Sequence, residues 1–109
     1  MENQTAIQHI NVEETNARIL HFLQTAQYAE AEKLCVWLLS SQSELLFEAN
    51  FYLGVALQFQ GKIEHALDIF RRALELSPNN FNVMQAIASC LDQLKRYEES
   101  HQLLLEVLK

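Results

Sequence analysis

Residues 47–80 read FEANFYLGVALQFQGKIEHALDIFRRALELSPNN, and the fold of the whole 109-residue chain turns on them. The small residues Gly54, Ala66 and Ala73 stand among the bulkier Leu53, Leu57 and Phe70 at helical spacing. Small side chains at a contact let two helix axes approach, because a large one there forces them apart. Phe70 then fills the gap beside them. Gly61 predicts the end of a first helix, since glycine adopts the left-handed conformation at little cost. Ser77-Pro78 predicts the end of a second, because proline cannot continue a helix and disfavours helical geometry in the residue before it. The stretch therefore reads as a helical hairpin.

The hairpin repeats along the chain. A shift of 34 residues carries Leu53-Gly54 onto Ile87-Ala88, Ala66 onto Ser100, Phe70 onto Leu104 and Ala73 onto Val107. A shift of 35 in the other direction carries Ala66 onto Ala31, Phe70 onto Cys35 and Ala73 onto Leu38. Tyr28, Ile63 and Tyr97 stand three residues before Ala31, Ala66 and Ser100, an agreement outside the original set. Six helices are expected, at about 12–25, 28–40, 44–60, 63–76, 80–94 and 97–108. The first helix of the first copy fits with Ile19, Leu20 and Leu23 only if one residue is gained or lost in the turn near Thr25 to Gln27. Asn11 with Glu14 resembles a capping box, Ser43 is expected to cap the helix carrying Leu46 to Gln60, and Asn80 to cap the next.

The middle copy resembles the tetratricopeptide repeat (TPR), a 34-residue unit with the pattern W-x2-L-G-x2-Y, then A-x3-F, then P. Here those places hold Asn50, Leu53-Gly54, Leu57, Ala66, Phe70 and Pro78, with Asn50 and Leu57 departing from the two aromatic positions. The third copy departs further, with Ala88 for glycine and Ser100 for alanine. The resemblance implies an all-α fold of three TPR hairpins stacked as a short right-handed α-solenoid. It would span residues 12–109 as repeats of about 12–46, 47–80 and 81–109, after an N-terminal tail at 1–11.

Composition narrows the function. Half of the residues are apolar and 20% are charged, so the chain can collapse around a core. The net charge is −6, and the basic residues never cluster beyond Arg71-Arg72 and Lys95-Arg96. Nucleic acid and anionic membrane surfaces are poor partners for such a chain, because both are held through basic footprints. No apolar run reaches the 18 or more residues of a membrane span, and the N-terminus lacks the basic start and apolar core of a signal peptide. A cytoplasmic location follows as an expectation.

Catalytic apparatus is not legible. His9, His21, His65 and His101 are scattered, without H-E-x-x-H or Cys-x2-Cys spacing, so they read as solvated helix residues and no metal or cofactor is expected. Cys35 and Cys90 fall in apolar helical patterns and read as reduced core thiols. Consecutive carboxylates such as Glu13-Glu14 and Glu98-Glu99 diverge by about 100° on a helix and read as solvent-facing charges. The expectation is that this chain is not an enzyme.

In TPR proteins the first helix of each hairpin lines a concave groove. The resemblance implies groove residues Glu48, Phe51, Tyr52, Val55, Gln58 and Phe59 in the second copy, and Asn82, Gln85, Ser89, Asp92 and Gln93 in the third. Ala17, Arg18, His21 and Gln24 would serve in the first, with the register open by one residue. A protein or peptide partner would then be held by apolar pockets and amide hydrogen bonds, with Phe51, Tyr52 and Phe59 partly in the core as the competing reading. TPR domains that grip the C-terminal carboxylate of heat-shock chaperones use Lys, Asn and Arg at set places that hold Phe51, Val55 and Ala86 here, so that clamp is not expected. The chain also resembles the small TPR chaperones of type III secretion in its hairpins and acidic balance.

The last helix is too apolar for a stack end. Leu103, Leu104, Leu105, Val107 and Leu108 cover more than half of its circumference and cannot all face the preceding hairpin. Three readings stay open: a homodimer through Leu104, Leu105 and Leu108, a docking site, or a chain cut from a longer one. Two functions are accordingly expected. One is an adaptor or chaperone-like binder of a partner peptide or helix; the other is a scaffold or dimerisation segment of a larger modular enzyme such as a transferase.

Overall fold

A computed structural model describes residues 11–107; residues 1–10, 108 and 109 lie outside it, and with them most of the expected tail, His9 and Leu108. The described chain is helical and has no strand: α1 Val12–Gln24, α2 Tyr28–Ser41, α3 Phe47–Phe59, α4 Ile63–Leu76, α5 Phe81–Gln93 and α6 Tyr97–Val107. The helices pair as three hairpins in a stack that is elongated, 55 × 26 × 19 Å.

The three hairpin turns are built alike. Ala26, Gly61 and Lys95 each take a left-handed conformation, with φ of 60°, 83° and 63°. The next N–H in each turn reaches back five residues: Gln27 donates to the Phe22 carbonyl at 2.8 Å, Lys62 to Leu57 at 2.9 Å and Arg96 to Leu91 at 2.8 Å. These bonds satisfy carbonyls that a helix end would otherwise leave open.

The turns settle the register of the first copy. Both helices of the first hairpin start 35 residues before their counterparts in the second, Val12 before Phe47 and Tyr28 before Ile63. The second and third are offset by 34, Phe47 to Phe81 and Ile63 to Tyr97. No residue is gained or lost at Thr25 to Gln27, contrary to the expectation. The extra residue lies in the connection after α2, which runs over 42–46 where its counterpart after α4 runs over 77–80. That longer connection also moves the start of α3. Ser43 accepts the Leu45 N–H at 3.0 Å inside the connection and does not cap the helix, which begins at Phe47 after Leu46, an N-cap that makes no side-chain hydrogen bond. Asn11 and Asn80 do cap, accepting the N–H groups of Glu14 at 2.9 Å and Val83 at 3.2 Å.

Asn50, at the place of the family's tryptophan, is wholly buried. Its amide donates to the carbonyls of Glu44 at 2.9 Å and Leu46 at 2.8 Å, tying the connection to the first turn of α3. Thr15, at the same place in α1, makes the equivalent bond to the Asn11 carbonyl at 2.8 Å. At both helix starts a polar side chain donates back to the carbonyl four residues before it.

The core runs continuously through the stack, from Ile19 through Cys35, Leu57, Ala66 and Phe70 to Val83, Cys90 and Leu91. Ala66 and Ala73 are fully buried, as the close approach of α3 and α4 requires. A Cβ added to Gly54 would sit 2.5 Å from the Phe70 ring, so the glycine makes room for that ring. At the two corresponding places the first hairpin carries Ile19 and Cys35, both buried, and the third carries Ala88 and Leu104. The bulk has changed sides between copies.

Cys35 and Cys90 are free and buried. Burial, reinforced by the charge of Glu32, pushes the Cys35 thiol up to about 12, and burial alone pushes Cys90 up to about 11. In the unfolded chain both would ionise near the ordinary 9.0. Because the folded values are the higher ones, this contribution to stability is complete below about pH 9 and is lost as the pH rises towards 11 and 12. Thermal melts from neutral to alkaline pH should show it, with the Cys35→Ala/Cys90→Ala variant less stable at pH 7 yet losing less above pH 9. An unchanged alkaline loss in that variant would contradict the assignment.

Candidate groove of the first helices

The stack fans open on one side. Helix α1 touches α3 and α3 touches α5, whereas among the described residues no two second helices approach within 8 Å between Cα atoms. Long ion pairs span that wider side: Arg71 to Glu99 at 3.6 Å, and Arg96 to Glu64 at 3.5 Å. Glu99 is thus not a bare solvent-facing charge. The bidentate hydrogen bond from Arg96 holds its carboxyl below the ordinary carboxylate value, with Arg71 adding to the effect. A stack that is tight along its first helices and open along its second is concave on the first-helix side.

The expected groove residues of α3 divide between core and surface. Phe51 and Tyr52 are half-buried, and the Phe51 ring lies 5.8 Å from Phe70 and 6.1 Å from Phe47. Burial, with Glu48 and Cys35 nearby, raises the Tyr52 phenol above its ordinary value and keeps it neutral. Val55 packs against the core and is half-buried, Glu48 is exposed, and Phe59 is 64% exposed. Phe59 lies flat on Tyr28, ring centres 4.9 Å apart and planes 10° apart, so the two rings form one platform across the first and second hairpins. Asn82, Gln85, Ser89, Asp92 and Gln93 of α5 are all exposed. Gln58 donates to Ser89 at 2.9 Å and to Gln93 at 2.6 Å, binding α3 to α5 along this face.

The 35-residue offset corrects the first copy. Positions equivalent to those of α3 are Glu13, Asn16, Ala17, Leu20, Leu23 and Gln24, so Ala17 and Gln24 stay while Arg18 and His21 leave the set. Arg18 instead lines a separate hollow with Phe22, Leu34 and Trp37. Leu20 and Leu23 were missed because a shift of 34 puts them one place off. Tyr28 was visible only as a marker of the repeat.

With this register the face has two ends of different chemistry. Leu20, Leu23, Val55 and the Tyr28–Phe59 platform form an apolar end, while Gln58, Gln85, Ser89, Asp92 and Gln93 form a polar one. Its carboxylates are Glu13, Glu48 and Asp92, and none of these positions on the three first helices holds lysine or arginine. Among the described residues no group of three His, Cys, Asp or Glu side chains is placed to hold a metal ion, and no helix is long and apolar enough to cross a membrane.

Comparison with known proteins agrees with this architecture. The tetratricopeptide repeat family matches residues 60–109. The solved structure of MamA AMB-1 superposes with a TM-score of 0.80 at 31% identity, over 97% of this chain and 62% of that one. A point mutant of MamA gives 0.79 at 32% identity, over 89% of this chain and 70% of that one. The Yersinia enterocolitica type III secretion translocator chaperone SycD shares the fold, with a TM-score of 0.80 at 18% identity over 85% of this chain and 70% of that one. No curated protein matches in sequence. The chain belongs to the tetratricopeptide repeat family, whose stacked hairpins serve as protein interaction modules. It spans 62% of the length of MamA AMB-1.

Proposed function

We propose that this chain is a non-catalytic adaptor or chaperone-like binder that holds a helical, cationic and amphipathic segment of a partner protein along its first helices. The observation that carries the reading is the division of that face. Leu20, Val55 and the Tyr28–Phe59 platform offer an apolar seat, and beside it lie three carboxylates with no cation at the groove positions. A helix that lays apolar side chains on the first and lysines or arginines over the second satisfies both. The interacting domain is residues 12–109 after a tail at 1–11, and the two unpaired buried thiols fit a reducing cytoplasm. That SycD is a translocator chaperone accords with a chaperone-like role.

Calorimetric titration with designed amphipathic helical peptides of opposite charge tests this. The cationic peptide should bind more tightly than its acidic counterpart, and Leu20→Ala or Phe59→Ala should each weaken it about tenfold, or roughly 1.4 kcal/mol. Equal affinity for both peptides, or no effect of either substitution, would refute the reading. A pull-down from the source cell, repeated with Phe51→Ala and Phe59→Ala, would then identify the natural partner.

A further inference from the structure

A hollow of about 260 Å³ on the first hairpin is lined by Arg18, Phe22, Glu30, Lys33, Leu34 and Trp37. A larger one, about 520 Å³, opens between α4 and α6 over Ile87 and Leu91 of α5. Each of the six residues stands 69 positions, one 35-residue and one 34-residue repeat, before a residue that lines the larger hollow, Arg18 before Ile87 and Lys33 before Gln102 among them. The helix caps keep the same count, since Asn11 and Asn80 are 69 apart and each accepts the N–H three residues on. The larger hollow has a wall, Arg71 and Leu74, on the last turns of the helix before α5. The same count puts the wall of the smaller one on Glu2 and Thr5.

We propose that residues 1–10 are the wall of the smaller hollow, lying over Arg18 and Trp37 on the way into α1 as α4 lies over Ile87 and Leu91 on the way into α5. Charge favours the seat. In the larger hollow the wall residue Arg71 reaches Glu99 at 3.6 Å. In the smaller, the wall place holds a carboxylate, Glu2, and the seat has gained two cations, Arg18 where the larger has Ile87 and Lys33 where it has Gln102. Glu30 lies 3.7 Å from Lys33, while Arg18 has no ion pair or side-chain hydrogen bond among the described residues. Opposite charges set face to face fix which segment docks and in which register. Met1 and Ile7 fall on the apolar places of Phe70 and Leu76, and Gln4 alone puts a polar side chain on a buried place, that of Ala73. The reach is the same, because residues 77–80 carry α4 into α5 and residues 8–11 are equal in number to carry the wall into α1. The contact holds whether or not other helices precede it, and it lies apart from the groove, on which it does not depend.

Trp37 is the chain's one tryptophan and lines the hollow, so its emission reports on the seat. In the full chain its indole should show nuclear Overhauser contacts to side chains of residues 1–10. Glu2→Lys should move the emission to longer wavelength and raise its quenching by acrylamide, and Arg18→Glu alone should do the same. The two substitutions together should bring both readings back towards the wild type, since the charges are then exchanged and not lost. A cooperative thermal melt in each variant shows that the stack itself stands. Emission and quenching unmoved by Glu2→Lys overturn the inference. So does a double variant no closer to the wild type than the singles, or an indole without contacts to residues 1–10.

Discussion

Replacing Ala66 with arginine is expected to abolish most of the stability of this protein. Ala66 is fully buried where α4 crosses α3, against a core that contains Phe70 and Leu57. An arginine there either buries an unpaired charge or drives the two helices apart, and such changes cost several kcal/mol, about 4 or more. Domains of this size are stable by about 5–15 kcal/mol in all. Each kcal/mol corresponds to a fall of about 4–8 °C in Tm, so a drop of at least about 15 °C, or loss of the cooperative transition, should appear in a thermal melt. The neighbouring Asp68→Arg, on an exposed position of the same helix, should move Tm by little. A wild-type Tm for Ala66→Arg would show that α3 and α4 do not meet at this residue.

The second large effect concerns Gly54 and Phe70. Gly54→Ile puts a branched side chain where even a Cβ would lie 2.5 Å from the Phe70 ring, and overpacking of this kind costs about 1–3 kcal/mol or more. Phe70→Cys alone removes a fully buried ring and should cost about 3 kcal/mol. The double variant reproduces the Ile19 and Cys35 pair of the first hairpin, so each change relieves the other. The measured cost of the pair should fall short of the sum of the singles by at least about 1 kcal/mol in denaturant melts. Additive costs would mean that the two hairpins solve their packing by unrelated means.

These two positions also show how far the sequence could be read. Gly54, Ala66, Ala73 and Phe70 announced a close helix contact through side-chain size alone, and Gly61 and Pro78 announced the helix ends, because each of those properties is local. The first hairpin was harder. Its left-handed turn residue is Ala26, not glycine, and its bulk sits on Ile19 where the second copy has none, so neither landmark marks the alignment. The shift of 35 is legible for the second helix from Ala31, Cys35 and Leu38, and the matching turn and helix start extend it to the first. That offset then exchanges Arg18 and His21 for Leu20 and Leu23 on the concave side. Ser43 stands in a connection one residue longer than its counterpart, so its hydroxyl meets the Leu45 N–H two residues on and not the first turn of α3. The Tyr28–Phe59 platform joins residues 31 positions apart in different hairpins, a pairing that no local pattern encodes.

In the proposed function the first helices are the face that receives a partner. The direct measurement is a methyl-labelled NMR titration of the chain with the cationic amphipathic peptide. The largest shifts should fall on Leu20, Leu23 and Val55, with Leu74 and Leu105 on the opposite side unmoved. Shifts concentrated on Leu74 and Leu105, with the first-helix methyls silent, would contradict it.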